Sequence, residues 1–228
     1  MESAKELQAK LKKEGKDSAA NSENNSSAGE EELPTAAATA TKGSVTVQEE
    51  ENKTEAGPVK YNYLGDEACP LHEDMEDIEY SMEFRIPRLE NLDKCHNLRR
   101  LCLRKNLIAK IEGLEKNPLL QELDLYDNRI VAIEGLEHLT ELSILDLSFN
   151  RIKMITGLES LKALRKLFFI GNKIRVVEGL HTLQNLETLD LGDNRIRKLE
   201  GLDGCTALTE LYAAKNKLTA ISGVGTLP

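Results

Sequence analysis

Apolar residues in this chain fall at fixed offsets from six asparagines: Asn106, Asn128, Asn150, Asn172, Asn194 and Asn216, each 22 positions from the next. Eight, five and three places before each asparagine the chain is apolar, as in Leu120, Leu123 and Leu125. Two, five and eight places after it stand Ile130, Ile133 and Leu136 and their copies. Polar residues alternate with the leucines before the asparagine, the period of a short strand with one face buried. Glycines (Gly113, Gly135, Gly157, Gly179, Gly201, Gly223) recur seven places after the asparagine, where the chain is expected to turn in a conformation costly for other residues. The stretch that follows, such as LEHLTEL, predicts a short helical or 3₁₀ turn packed by its leucines.

A period of 22 with the pattern L-x-x-L-x-L-x-x-N-x-I specifies leucine-rich repeats. The predicted fold is an α/β repeat solenoid, a right-handed coil whose strands build a curved parallel sheet on the concave face. The repeated asparagine closes the turn after each strand. Its amide offers donors and an acceptor to backbone groups that the bend would otherwise bury unpaired.

Three segments follow. Residues 1–76 read as a disordered, acidic, low-complexity head, with acids gathering from Asp66 to Glu83. Residues 77–97 read as a degenerate capping repeat that starts near Ile78. Phe84 takes the asparagine place, and Ile86, Leu89 and Leu92 follow in phase. Residues 98–228 read as six repeats with no polar cap after them: the pattern runs through Leu218, Ile221 and Leu227 and stops at Pro228. The expectation is a truncated chain, or alternatively an end that a partner covers.

Charge sharpens this division. The net charge of −9 comes entirely from the head, which holds 8 lysines and 17 acids, whereas residues 77–228 hold 22 basic and 22 acidic residues. No apolar run reaches the roughly 18 residues that a membrane span needs, and the first residues lack a signal-peptide core. Cys69, Cys95, Cys102 and Cys205 form no C-x-x-C pair. Cys95 and Cys205 occupy a position held by leucine in other repeats, so they read as buried hydrophobes in a reducing, intracellular compartment, nucleus or cytoplasm.

No catalytic constellation is present in the sequence. His96, His138 and His181 lie about two coils apart, roughly 10 Å at strand spacing, too far to share a metal. No G-x-S-x-G elbow or phosphate-binding G-x-x-x-x-G-K-[ST] loop occurs. The chain is expected to be no enzyme and to use no cofactor, metal or small-molecule substrate. Function then rests on rows of exposed residues, one per coil. Four places before the asparagine stand Cys102, Asp124, Asp146, Phe168, Asp190 and Tyr212, acids interleaved with aromatics, which suit a protein partner. Two places before stand Arg104, Tyr126, Ser148, Ile170, Gly192 and Ala214. One place after stand Arg129, Arg151, Lys173, Arg195 and Lys217. This last row reads as a solvated rim balanced by Glu112, Glu134, Glu178 and Glu200, and nucleic acid is not the expected partner because the repeat block is neutral.

The segments CLRKNLIAKIEGLE, LLQELDLYDNRIVAIEGLEHLTELSILDLSFNRI and LRKLFFIGNKI resemble the nuclear leucine-rich regulatory subunit of protein phosphatase 1, regulatory subunit 7, over roughly residues 77 to 222. The resemblance implies a non-catalytic subunit that grips the type 1 Ser/Thr phosphatase catalytic subunit on its concave face. The family presents Asp, Phe, Glu and Phe four places before successive asparagines. Here those places hold Asp146, Phe168, Asp190 and Tyr212, so these four, with Asp124 preceding them, are the expected partner-binding residues. The family continues for further repeats, one carrying a Trp, and ends in a cap; this sequence holds no Trp, and no cap is expected after its last repeat. Two other readings remain open: a ciliary or cytoskeletal scaffold of the same repeat class, and a ribonucleoprotein component using the cationic rim.

Overall fold

The computed structural model describes residues 60–82 and 84–225. The expected disorder of the head before residue 60 lies outside the described residues, as does the end of the chain beyond 225. Among the described residues nine short strands follow in order: β1 (Asp77–Glu79), β2 (Arg100–Cys102), β3 (Glu122–Asp124), β4 (Ile144–Asp146), β5 (Lys166–Phe168), β6 (Thr188–Asp190), β7 (Lys198–Leu199), β8 (Glu210–Tyr212) and β9 (Ala220–Ile221). Seven of them form one parallel sheet in the order β1-β2-β3-β4-β5-β6-β8, and β7 pairs with β9 in a separate parallel ribbon. The chain is a leucine-rich solenoid with its curved sheet on the concave face, as the period predicts.

Each strand repeats the same burial logic. Leu123, Leu145, Leu167, Leu189 and Leu211 sit in register on neighbouring strands and point into one continuous core. The leucines of the opposite side, such as Leu136, Leu139 and Leu142, close that core and are fully buried. Their segments are turns rather than helix: the Leu139 N–H donates to Leu136 O at 3.0 Å and the Leu142 N–H to Leu139 O at 3.1 Å. Among the described residues the single 3₁₀ helix is Leu92–Lys94. A coil of 22 residues leaves too few for a helical turn that outlasts its own end effects, so the leucines pack from consecutive β-turns.

The asparagine ladder is the main polar device. The Asn150 Oδ1 accepts the Ile130 N–H at 2.9 Å, and its Nδ2 donates to Leu125 O at 3.0 Å and Leu147 O at 3.1 Å. Asn128, Asn172 and Asn194 repeat this set. Each amide thus ties its own turn to the preceding coil, satisfying buried backbone groups that no strand reaches. The glycines seven places on all lie at positive φ, from 65° to 76°. At Gly135 an added Cβ would also meet Ile111 O at 2.7 Å, so the requirement is both conformational and steric.

The N-terminal end departs from expectation in two ways. Of the head expected to be disordered, the described residues 60–76 are folded. Leu64 and Cys69 are fully buried and join the core, where they cover the face that a preceding coil would otherwise cover. Their loop is held by Asn91 Nδ2, which donates to Leu64 O at 2.7 Å, by Tyr80 Oη, which donates to Pro70 O at 2.5 Å, and by Arg88 stacked over the Tyr63 ring. The second departure is register. Asp77 pairs with Arg100, an offset of 23, whereas Arg100 pairs with Glu122 at 22. Ile86 nevertheless donates to the Asn106 Oδ1, the same relation that Ile108 has to Asn128. The first coil therefore carries one extra residue between its strand and Ile86, near Met82 and Arg85, both at positive φ. Phe84 is one place out of phase on the strand side. Ile86, Leu89 and Leu92 are buried as the pattern requires.

Candidate binding surface

The row four places before the asparagine lies at the last residue of each strand. Register places Cys102, Asp124, Asp146, Phe168, Asp190 and Tyr212 side by side from β2 to β8, at about 4.8 Å per strand. Cys102 does not belong to the exposed part. It is buried, its Sγ 3.3 Å from Ser81 Oγ, because the folded first coil covers it. The open row starts at Asp124 and ends at Tyr212, which is 52% exposed; Phe168 is half-buried between Asp146 and Asp190.

The three carboxylates have a structural duty that the spacing did not reveal. Asp124 Oδ1 accepts the Tyr126 N–H at 3.0 Å, Asp146 Oδ1 the Ser148 N–H at 2.9 Å, and Asp190 Oδ1 the Gly192 N–H at 2.8 Å. Each acid caps the turn two residues on, in the manner of an Asx turn. Partial burial pushes the Asp124 and Asp190 carboxyls above the ordinary range; the accepted N–H opposes that rise in both, and the neighbouring Asp146 charge adds to it. One oxygen of each carboxylate is spent on the backbone, and the second oxygen of Asp124 is taken by Arg104.

A second band crosses the coils where the strands end. Arg104 stacks its guanidinium 4.3 Å over the Tyr126 ring and reaches Asp124 Oδ2 at 3.3 Å. Tyr126 in turn lies 5.0 Å from the Phe149 ring, centroid to centroid. Phe149 was not among the expected site residues. It stands one place before Asn150, in a row made by Lys105, Asp127, Phe149, Gly171, Asp193 and Lys215, all at positive φ between 49° and 69°. Gly171 in that row was the sequence signal for a left-handed position, and a phenylalanine there was the exception worth noting. The ring is 43% exposed.

The cationic row (Arg129, Arg151, Lys173, Arg195, Lys217) is exposed and follows the asparagines along the sheet's edge. Each residue's backbone N–H donates to an isoleucine carbonyl of the preceding coil, for instance Arg151 to Ile130 O at 2.8 Å. The expected balance with Glu112, Glu134, Glu178 and Glu200 is absent among the described ion pairs. Glu112 pairs with Lys110 on its own coil instead, at 3.2 Å. A further row, six places before the asparagine, escaped the sequence reading and is partly self-neutralised, as Arg100 pairs with Glu122 of that row and also with Glu79 on β1.

The face is thus banded, with acids and aromatics on the strands, an aromatic ledge where they end, and cations at the rim. Among the described residues no group of three or more His, Cys, Asp or Glu side chains is placed to hold a metal ion, and no helix is long and apolar enough to cross a membrane.

Comparison with known proteins agrees on the repeat. The family model of leucine-rich repeats (2 copies) matches residues 118–160 and 162–204. Among solved structures, an internalin (InlF) of Listeria monocytogenes is 23% identical, with a TM-score of 0.59 over 71% of this chain and 48% of that one. A leucine-rich repeat protein of Leptospira interrogans is 25% identical, with a TM-score of 0.61 over 66% and 40%. The TLR13–ssRNA13 complex is 25% identical, with a TM-score of 0.60 over 64% and 22%. This chain spans less than half the length of each of these three. A search of curated proteins gives no match.

Proposed function

Taking this chain as a leucine-rich repeat solenoid, we propose that it is a non-catalytic regulatory subunit of a type 1 Ser/Thr protein phosphatase and grips the catalytic subunit with its concave face. The observation that carries this reading is the in-register row Asp146, Phe168, Asp190 and Tyr212 on β4, β5, β6 and β8. The row follows the order of acid and aromatic residues implied by the resemblance to regulatory subunit 7. Its chemistry suits a protein surface: the aromatic rings supply apolar area that sheds water on contact, and the free carboxylate oxygens pair with lysine or arginine of the partner. A rigid ladder holds the groups at fixed spacing, so little ordering entropy is lost on binding. Asp124 extends the same row toward β2. The four buried free cysteines support a reducing compartment, nucleus or cytoplasm.

The test is calorimetric titration of the full chain with purified phosphatase catalytic subunit. The double variant Asp146→Lys with Phe168→Ala is expected to abolish measurable binding while the far-ultraviolet circular dichroism spectrum is unchanged. Equal affinity for wild type and variant would overturn the assignment of the surface.

A further inference from the structure

The Phe149 ring occupies a backbone position that strongly disfavours it. With φ at 54°, a bulky residue here is an outlier, and the same place in other coils is filled by Lys, Asp or Gly. Such conformations persist where the surroundings over-determine them, and they concentrate at binding sites. The surroundings are explicit. Tyr126 packs against the ring from the preceding coil at 5.0 Å, and Gly171 lies against it on the following coil, where a Cβ would come within 2.9 Å of the ring. Arg104 fixes Tyr126 from the other side. The result is a preformed aromatic ledge spanning two coils at the end of the sheet, flanked by Arg104 on the coil before and Gly171 on the coil after.

We propose that the Tyr126–Phe149 ledge is a second contact of the concave face, one that receives an apolar side chain from a surface segment of the phosphatase catalytic subunit. This inference rests on the proposed function. The charge bands select that segment. Asp146 lies on the strand side of the ledge, Asp124 beside it being already paired with Arg104, and the exposed Arg129 and Arg151 lie on the rim side. The complementary segment carries a basic residue, then an aliphatic or aromatic residue, then an acidic one, laid along the direction of the chain within a coil. A segment of reversed charge order meets like charge at both ends and is rejected.

The probe is purified phosphatase catalytic subunit, titrated against the full chain. Phe149→Asn suits the left-handed backbone, so the melting temperature is expected to hold or rise while affinity falls about tenfold, as for loss of a central aromatic anchor. Arg151→Glu, on an exposed side chain, is expected to weaken binding several-fold, mainly through the association rate, and to reduce its salt dependence. If the wild type binds, Asp146→Lys with Phe168→Ala abolishes binding, and both ledge variants bind like wild type, the ledge is excluded while the row stands. If the wild type itself does not bind, the phosphatase reading fails and the ledge contact with it.

Discussion

The Asp190 carboxylate accepts the Gly192 N–H at 2.8 Å, and an added Cβ at Gly192 would lie 3.1 Å from that same oxygen. One side chain therefore closes a turn and presents charge to the concave face. The two duties ask for different residues. An asparagine would accept the N–H equally well, but only an aspartate offers a charge to a basic partner.

Replacing Asp190 by Asn separates them. Burial raises the folded-state pKa of Asp190 above the ordinary carboxylate value. The folded protein then binds more protons than the unfolded chain between those two values, so this group's contribution to stability falls as pH rises through that window. Asp190→Asn is expected to raise the melting temperature at pH 7 and to leave it close to wild type near pH 3, where the carboxyl is protonated in both states. The same variant is expected to bind the phosphatase catalytic subunit more weakly, the usual exchange of stability for function. Thermal melts of both proteins across pH 3 to 8 check the first part, and titration checks the second.

Two buried asparagines should behave in opposite ways. Asn150→Leu leaves the Ile130 N–H without its acceptor and removes the three bonds that Nδ2 donates to Leu125 O, Leu147 O and Ser148 O, a loss of about 3 kcal/mol or more. Asn117 instead occupies a place held by Leu139, Leu161 and Leu183 in other coils. Its Nδ2 donates to Leu92 O and Cys95 O, which already accept the Cys95 and Leu98 N–H groups, and its Oδ1 has no partner among the described atoms. Asn117→Leu is expected to change stability by no more than about 1 kcal/mol, because apolar contact replaces bonds that the carbonyls can spare. Urea denaturation of the two variants beside wild type provides the comparison.

The thiols are expected to be inert while the protein is folded. All four are buried, and burial pushes each above its usual value, Cys205 to about 11. At pH 8 a disulfide exchange reagent should release no rapid burst from the native protein and titrate all four after unfolding in guanidinium, since the thiolate is the reacting form. A fast native phase would place a thiol at the surface.

The repeat itself was open to reading because it is a local code. Every coil must bury the same sites, so Leu123, Leu125, Ile130 and Asn128 recur at fixed intervals, and Gly135 returns wherever the turn needs a positive φ. The candidate row was legible for the same reason: counting from the asparagine places Asp146 beside Phe168, and strand register bears that out. Phe149 was missed because its significance lies in a backbone angle, which the spacing of residue types does not display.

The sequence by itself therefore determined the period, the parallel ladder, the core positions and which residues share a row, since stacking of identical coils converts spacing in the chain into neighbours in space. Only the tertiary structure decided how the stack begins, with Leu64 and Cys69 folded against the first coil, an extra residue before Ile86, and Cys102 covered at the end of its row. It alone revealed the turn bonds of Asp124, Asp146 and Asp190 and the ring of Phe149 set between Tyr126 and Gly171. The physical reason is that these features depend on contacts made once, where a coil meets an end or an exceptional side chain, and a periodic pattern carries no information about what happens only once.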